Sequence, residues 1–246
     1  MEQKINGFNE NIAEYYDRKS TEYDTGYSSP LCKAEDRAIM QVIRPFITGG
    51  SMLDIGCGTG IALDYLDPKD YLGLDVSPGM ISKARSKYPD RNFVVGDMLE
   101  VVKNFESDSY ENIVSLYGPL SYSLEPKALV KEFHRILKPG GIMMVMPYTK
   151  RVERNLFVGE YSTATEDTID KIYYTTDMLM DLFSDFSYSK AIGINYFGNF
   201  IEELDRGFGK QQDVEFYANL LATEQSTVQL PIEYARHCLV VAQKSF

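Results

Sequence analysis

The sequence of 246 residues predicts an α/β fold, in which helices cover a doubly wound, mostly parallel sheet of seven strands. The main observation is that short apolar runs alternate with helical patterns between residues 51 and 147, as in successive βαβ units. A second observation is the turn after the first of these runs, which carries Gly56, Gly58 and Gly60. Bare backbone at that point would lie against a ligand at the start of the next helix.

The predicted strands lie, in chain order, at 52–55, 71–74, 92–95, 112–116, 141–147, 188–197 and 236–243. Helices are predicted at 60–66, 79–87 and 127–137 between these strands, and at 176–186 before the sixth. Apolar residues at helical spacings also predict helices at 8–24 and 33–47, and the segment 199–225 reads as mainly helical.

We expect a single domain over residues 1–246. Residues 1–47 would form an N-terminal helical lid, and residues 51–148 a ligand-binding core. Residues 149–235 would supply a helical cap insertion together with remaining sheet elements, and residues 236–246 the final strand. Lid and cap would cover the carboxyl edge of the sheet, where open α/β sheets bind their ligands.

The net charge and the lengths of the apolar runs indicate which classes of partner the protein is expected to bind. A net charge of −11 disfavours a nucleic-acid partner, because the field of the chain would repel a polyanion. No apolar run approaches the roughly 20 residues that span a bilayer, and the first residues lack the apolar region of a signal peptide, so we expect a cytoplasmic protein without a membrane partner. The sequence leaves the oligomeric state open, with a homodimer as one expectation.

The cysteines Cys32, Cys57 and Cys238 are too few and too widely spaced for a disulfide framework or a metal site. We therefore expect no bound metal, and read the thiols as small apolar side chains. Small-molecule chemistry is the better starting hypothesis.

Polar side chains follow several predicted strands. Asp75 ends the second strand, and a carboxylate there can accept hydrogen bonds from both hydroxyls of a ribose. Asp97 follows the third strand and could accept a bond from an adenine amino group, with Met98 supplying a backbone N–H. The glycine spacing is GxGxG, one residue shorter than the GxGxxG of dinucleotide sites, which speaks against such a site but leaves it as an alternative.

Four motifs stand in order at suitable separations: LDIGCGTG, YLGLDVSPGMISKAR, FVVGDM and HRILKPGG. In this the chain resembles the class I S-adenosylmethionine-dependent methyltransferase family, strongly over 51–147 and more weakly over 8–24 and 176–243. The resemblance implies a Rossmann-like methyltransferase fold, S-adenosylmethionine as the methyl donor and S-adenosylhomocysteine as its product.

The resemblance also implies a set of cofactor-binding residues: Asp54, Gly56, Cys57, Gly58, Gly60, Asp75, Val76, Met80, Asp97, Met98, Leu116, Tyr16 and Tyr23. Asp75 would hold the ribose, Val76 and Met80 would flank the adenine, and Leu116 would offer its carbonyl to the methionine amine. Tyr16 and Tyr23 match the aromatic–Asp pairs with which many members close over the cofactor. The LKPGG segment, 137–141, is expected to be a turn before the fifth strand.

Each of these roles has a structural alternative. Asp54 could cap a turn, and Asp97 could be the N-cap of a helix. Met80 and Met98 could fill gaps in the core. Tyr16 and Tyr23 could be core aromatics of a helix pair.

Methyl transfer from a sulfonium is an in-line displacement that depends mainly on proximity and orientation. Of the two histidines, His134 reads as structural, and His237 is expected to lie at the end of the last strand that faces away from the site. The sequence therefore names no catalytic residue. Whether a general base is needed stays open.

Substrate contacts are expected from aromatic residues around the cap: Tyr117, Tyr148, Tyr196, Phe197 and Phe200, with Tyr173 and Tyr174 as further candidates. Such a wall suits a small acceptor that is partly apolar or cationic. Glu202 and Glu203 would attract an amine or form a solvated helix face.

The leading hypothesis is an enzyme that methylates an O or N atom of a small molecule. One alternative is a methyltransferase acting on tRNA or protein. Another is a homologue that binds the cofactor but catalyses a different reaction, such as a cyclisation.

Overall fold

The computed structural model describes residues 2–150, 170–196, 201, 212–227 and 230–246, with side chains from residue 9 onward. The predictions for Phe197, Phe200, Glu202 and Glu203 concern residues that lie outside the described ranges. Among the residues that are described, no helix is long and apolar enough to cross a bilayer.

Seven strands form one mixed sheet in the order β3-β2-β1-β4-β5-β7-β6, which confirms the predicted fold class. Their bounds are β1 Ser51–Ile55, β2 Asp70–Asp75, β3 Asn92–Val95, β4 Tyr110–Ser115, β5 Leu137–Val145, β6 Tyr188–Ile194 and β7 His237–Gln243. The first five strands are parallel, and β7 runs antiparallel to both β5 and β6. The strand order reverses between β1 and β4, so the ligand crevice of such a sheet lies there.

The described helices are α1 Glu2–Lys19, α2 Tyr23–Gly26, α3 Pro30–Ile43, α4 Pro78–Lys87, α5 Met98–Val102, α6 Pro126–Ile136, α7 Thr176–Leu182 and α8 Val214–Thr227. Short 3-10 turns occupy Arg44–Phe46, Ile61–Asp64, Pro119–Tyr122 and Ile232–Tyr234. Several helices begin at capped positions: Ser29, Ser77, Asp97 and Thr175 each accept a bond from a backbone N–H three residues on.

The core has one layer on each face of the sheet. On one face, α5, α6 and α7 pack against inward side chains such as Leu53 and Ile55. On the other face, α3 and α4 pack against a set that includes Met52 and Val114. Helix α8 packs on α3 through Leu31, Ala34, Tyr217 and Leu221. This three-layer arrangement leaves the carboxyl edge of the parallel strands for α1 and α2.

The structure corrects the expectation for residues 137–141. The LKPGG segment is the first part of β5, and its pairing with β4 shifts register between Tyr110 and Asn112. The Pro-Gly-Gly sequence thus forms an irregularity within the strand, in which Gly140 takes a φ of +75°.

The expectation for His237 was also wrong. Because β7 is antiparallel to β5, its first residues lie beside the carboxyl end of β5, where Val145 pairs with Val240. His237 therefore lies at the edge of the sheet that carries the glycine turn. Two smaller differences concern helices: 61–64 is a short 3-10 turn where a helix over 60–66 was expected, and α5 was not predicted.

Candidate functional site

A cavity open to solvent lies where the carboxyl ends of β1, β2, β3 and β4 meet helices α1 and α2, which we call the lid. Its wall consists of Asn9, Ile12, Tyr16, Tyr23, Asp54, Gly56, Cys57, Gly58, Thr59, Ile61, Ala62, Leu74, Asp75, Val76, Met80, Gly96, Asp97, Met98, Leu116, Tyr117, Pro119 and Tyr122. Twelve of the thirteen residues expected to bind the cofactor are among them, and Gly60 is the exception.

The glycine turn after β1 is fixed by backbone bonds, since the N–H groups of Gly56 and Cys57 both donate to the carbonyl of Leu74. Gly56, Gly58 and Gly60 all have positive φ. A Cβ on Gly56 would lie 2.2 Å from a Pro119 side-chain carbon, and one on Gly60 would lie 2.8 Å from Tyr88.

Gly58 differs from its neighbours. An added Cβ there would meet nothing within 4 Å, although the residue lines the cavity. Protein packing therefore requires glycine at 56 and 60, whereas at 58 the missing side chain leaves free space. We call this free space at Gly58 the cradle. A Cβ would fill it, and it fits a ligand held against bare backbone.

Asp75, at the end of β2, is held by two backbone donors. Its carboxylate accepts bonds from the N–H of Gly58 and the N–H of Ser77, both at 2.9 Å. Burial raises the pKa of Asp75, and these two bonds lower it in part. A carboxylate offers about four lone-pair sites, so Asp75 keeps acceptor capacity for a ribose hydroxyl.

Asp54 lies deeper, with 2% of its surface exposed. The hydroxyl of Tyr71 donates to its carboxylate at 2.8 Å. Burial raises the pKa of Asp54 to about 7, and the bond from Tyr71 opposes that rise. A cationic ligand in the cavity would stabilise the ionised form of this carboxyl group.

Asp97 is an N-cap, as one of the two alternatives for this residue had it, and it also lines the cavity. One carboxylate oxygen accepts from the backbone N–H of Glu100, which makes Asp97 the N-cap of α5. The other oxygen accepts from the side-chain amide of Asn9 in α1, at 2.9 Å. Capping orients the carboxylate, and Asn9 ties it to the lid.

Two Tyr–Asp dipeptides join the lid to the core. Asp17 accepts one bond from the hydroxyl of Ser77 and another, of 2.7 Å, from the N–H of Gly79. It therefore holds the start of α4. Asp24 accepts from the Thr59 hydroxyl in the glycine turn at 2.5 Å and from Lys87 at 3.1 Å. In both dipeptides the tyrosine lines the cavity while the aspartate attaches the helix to the core.

Four rings form what we call the tyrosine cluster: Tyr16, Tyr23, Tyr122 and Tyr148. Ring centroids lie 6.4 Å apart for Tyr16 and Tyr23, 6.1 Å for Tyr16 and Tyr122, and 6.0 Å for Tyr122 and Tyr148. The hydroxyls of Tyr16 and Tyr122 share a hydrogen bond of 3.0 Å. Burial raises the pKa of Tyr16 and Tyr23 far above the usual range, so these phenols stay neutral.

Among the expected substrate residues that the structure describes, Tyr117 lines the cavity. It follows β4 with a φ of +62°, a left-handed conformation that costs a non-glycine residue about 1–2 kcal/mol. Its hydroxyl donates to the buried carboxylate of Asp36 in α3, and its ring lies edge-on to His237 with centroids 6.2 Å apart. Strained residues of this kind concentrate at functional sites.

The other expected substrate residues lie further out. Tyr148 packs behind Tyr122 and against Gly118, one layer from the described cavity wall. Tyr196 donates to the carbonyl of Leu230 and lies beyond the end of β6. Tyr174 is buried and pairs with Thr149, while Tyr173 is exposed beside Tyr148.

Sequence reasoning missed several wall residues, among them Asn9, Thr59, Pro119 and Tyr122. Tyr122 stands five positions after Tyr117, in a four-residue 3-10 turn that is too short to carry a periodic signal. Asn9 is polar on a largely polar helix, so only its contact with Asp97 distinguishes it.

Comparisons with known proteins agree with this geometry. Residues 53–145 match a family described as "Methyltransferase domain". The chain is 34% identical over 133 residues to an uncharacterised protein of Methanocaldococcus jannaschii, covering 54% of this chain and 50% of that protein. It is 33% identical over 100 residues to a dTDP-3-amino-3,4,6-trideoxy-alpha-D-glucopyranose N,N-dimethyltransferase of Streptomyces venezuelae, covering 40% of this chain and 42% of that one.

A solved structure from Thermotoga maritima, described as a methyltransferase and possible histamine N-methyltransferase, superposes with a TM-score of 0.65 at 16% identity. The match covers 95% of this chain and 100% of that one, and it shows the shared fold. The matches span half or less of the length of these two curated relatives.

Proposed function

We propose that this chain, whose residues 53–145 form a class I S-adenosylmethionine-dependent methyltransferase domain, transfers a methyl group to an O or N atom of a small-molecule acceptor. The observation that carries the proposal is the convergence of Asp54, Asp75 and Asp97 with the cradle at Gly58 in one cavity. These groups come from three adjacent strand ends, as a ligand with a ribose and an adenine requires.

In this proposal Asp75 accepts bonds from the ribose hydroxyls, since it is already oriented by Gly58 and Ser77. Asp97 reads the adenine edge, with Met98 beside it, and the side chains of Val76 and Met80 flank the ring. Leu116 and the glycine turn would hold the methionine part of the cofactor. The charge of Asp54 suits the cationic end of such a ligand.

The cofactor supplies an activated methyl group, so the protein needs to position the acceptor and exclude water. Helices α1 and α2 cover the cavity, and Asp17 and Asp24 attach them to the core. Tyr117 marks the acceptor side, because it follows β4 next to Leu116 and lines the same cavity. Faces of tyrosine rings stabilise a nearby cation by about 0.5–2 kcal/mol.

Isothermal titration with S-adenosylhomocysteine tests the site. We expect saturable binding that Asp75→Ala reduces at least about 100-fold, because a buried charge-assisted contact is worth about 1.5–3 kcal/mol for each bond lost. Asp70→Ala is the matched control, since Asp70 is an exposed aspartate at the opposite end of the same strand and should leave the affinity unchanged. Equal affinity in the Asp75 variant would contradict the assignment.

The transferase activity has a separate test. S-adenosylmethionine carrying a labelled methyl group is incubated with the protein and a small-metabolite extract. Label in a low-molecular-weight product supports the proposal. Saturable cofactor binding without label transfer would overturn the transferase assignment, and label found only in RNA or protein would overturn the small-molecule acceptor.

A further inference from the structure

We propose that the methyl acceptor is an amine, and that the ring faces of Tyr16, Tyr23 and Tyr122, the members of the tyrosine cluster that line the cavity, hold the ammonium ion formed by the transfer. This inference rests on the proposed function and adds the substrate class. It is drawn from the arrangement of the rings, the charges in the cavity wall and the charge balance of the reaction.

The rings of the cluster meet at steep angles. Tyr16 and Tyr122 are inclined at 85°, Tyr122 and Tyr148 at 89°, and Tyr16 and Tyr23 at 63°. Rings that meet nearly at right angles turn their electron-rich faces in different directions, so they form a corner rather than a stack. Tyr16, Tyr23 and Tyr122 line the cavity, and such a corner is suited to a compact cation.

The structure also shows alkylammonium groups on neighbouring tyrosine faces. Lys171 places its ammonium 4.9 Å from the ring centroid of Tyr148, behind Tyr122. Lys19 places its ammonium 4.1 Å from the centroid of Tyr15, whose ring packs on Tyr16. Both separations lie within the ~6 Å at which such a contact is attractive.

Formal charges in the described wall of the cavity have one sign. The described wall contains the carboxyl groups of Asp54, Asp75 and Asp97 and no lysine, arginine or histidine, and burial keeps the phenols of Tyr16 and Tyr23 neutral. Across the whole sequence the net charge is −11. The field in the cavity therefore favours a cation and opposes an anionic acceptor.

The charge balance of methyl transfer fits an amine. The lone pair of a neutral amine forms the new N–C bond as the S–C bond breaks, and that bonding pair leaves with sulfur as a neutral thioether. The positive charge thus moves from sulfur to nitrogen, and the proton on the resulting ammonium is lost to solvent after release. An amine that arrives as its ammonium ion first loses a proton to solvent, which frees the lone pair, and the transfer step itself then needs no general base. An alcohol acceptor loses its proton as the new bond forms and requires a general base in that step.

Binding of a quaternary ammonium tests the inference without knowledge of the natural acceptor. The probe is choline, and its comparison compound is 3,3-dimethyl-1-butanol, in which carbon replaces the charged nitrogen. Both are titrated into the full chain saturated with S-adenosylhomocysteine. We expect choline to bind at least about tenfold more tightly than the uncharged isostere.

Two further results are expected. Choline should bind more weakly when S-adenosylmethionine replaces S-adenosylhomocysteine, because the sulfonium repels a second cation. Tyr122→Leu should reduce choline affinity about three- to tenfold while Tyr122→Phe keeps most of it, since phenylalanine retains the ring face. Tyr188→Leu is the control, as Tyr188 is an exposed tyrosine at the start of the edge strand β6.

The outcomes separate this inference from the function it rests on. If S-adenosylhomocysteine itself does not bind, the proposed function fails. If it binds and choline shows no advantage over its isostere, or if Tyr122→Leu keeps choline affinity at unchanged S-adenosylhomocysteine affinity, the amine acceptor is wrong and the cofactor site stands.

Discussion

Asp24 in the lid accepts a hydrogen bond of 2.5 Å from the hydroxyl of Thr59 in the glycine turn. The two residues are 35 positions apart, and the bond joins α2 to the loop that follows β1. Asp17 makes the corresponding attachment from α1 to the start of α4. Each aspartate follows a tyrosine of the cavity wall, so the attachment of the lid and the placement of its aromatic rings depend on the same two dipeptides.

Removing this attachment should speed release of the ligand. We expect Asp24→Ala to weaken S-adenosylhomocysteine binding about three- to tenfold through faster dissociation, because the bonds from Thr59 and Lys87 are lost while the wall residues remain. Stopped-flow dissociation measures the rate. Glu22→Ala, an exposed acidic residue beside α2 without a side-chain capping bond, should leave the rate unchanged. An unchanged rate in Asp24→Ala would show that the attachment does not limit release.

Gly58 offers a test of the cradle. Gly58→Ala places a methyl group in space that the protein leaves free, at a φ of +54°. We expect the fold to persist with a loss of about 1–2 kcal/mol, and S-adenosylhomocysteine binding to fall far more than that strain explains. Thermal melting and titration separate the two effects. Gly49→Ala is the control, because a Cβ there also meets nothing within 4 Å but lies outside the cavity. Near-normal affinity in Gly58→Ala would contradict the proposal that the ligand occupies the cradle.

Asp54 should make the ligand-free protein less stable as the pH rises. The pKa of its carboxyl is about 7 in the folded state, raised by burial, and near 4 in an unfolded chain. Between these values the folded protein binds more protons than the unfolded chain, so stability decreases as the pH rises.

Thermal melts of the ligand-free protein from about pH 5 to pH 8 measure this effect. We expect Asp54→Asn to flatten the decline, and the exposed Asp70→Asn to preserve it. A wild-type melting temperature that rises steadily over this range, with Asp54→Asn following the same curve, would argue against a raised pKa.

Glu111 should have the opposite effect at the other edge of the sheet. Burial alone would raise its pKa, but bonds from Lys138 and from the hydroxyl and N–H of Ser51 outweigh burial and lower the pKa to about 2. Its stabilising contribution is therefore complete above about pH 4.5 and is lost as the pH falls toward 2.

Glu111→Gln should accordingly melt several degrees lower than wild type at neutral pH, and the difference should vanish in acid. Chemical unfolding at a series of pH values checks this. Glu106→Gln, at an exposed position nearby, serves as the control. A constant difference between Glu111→Gln and wild type at every pH would mean that packing, rather than ionisation, explains the effect.

Much of the fold follows from local pattern. The alternation of apolar runs with amphipathic segments is a property of short stretches, so five parallel strands and the glycine turn were predictable. The position of Asp75 and Asp97 in the cavity wall was predictable, because Asp75 ends β2, Asp97 comes two residues after β3, and parallel strands end at one edge of the sheet. The resemblance to the methyltransferase family added the lid tyrosines.

The features that the sequence did not predict depend on strand direction and on contacts between residues far apart in the chain. The placement of His237 was wrong because an apolar strand carries no sign of whether it runs parallel or antiparallel. Tyr122 was missed since its role depends on Tyr16, which is 106 positions away. The contact of Asp97 with the lid was not predictable, because it depends on Asn9, which belongs to no recognisable motif.

The position of Tyr16 and Tyr23 on the lid has a kinetic consequence. These rings belong to the chamber where the acceptor is expected, yet they are carried by helices whose aspartates attach beside the donor site. In the proposed function the acceptor lies against these rings, so its site is complete only when α1 and α2 are seated on the core. The donor has to enter before these helices are seated, because they cover its cavity. Turnover should therefore follow a compulsory order, with the methyl donor binding first and its demethylated form leaving last.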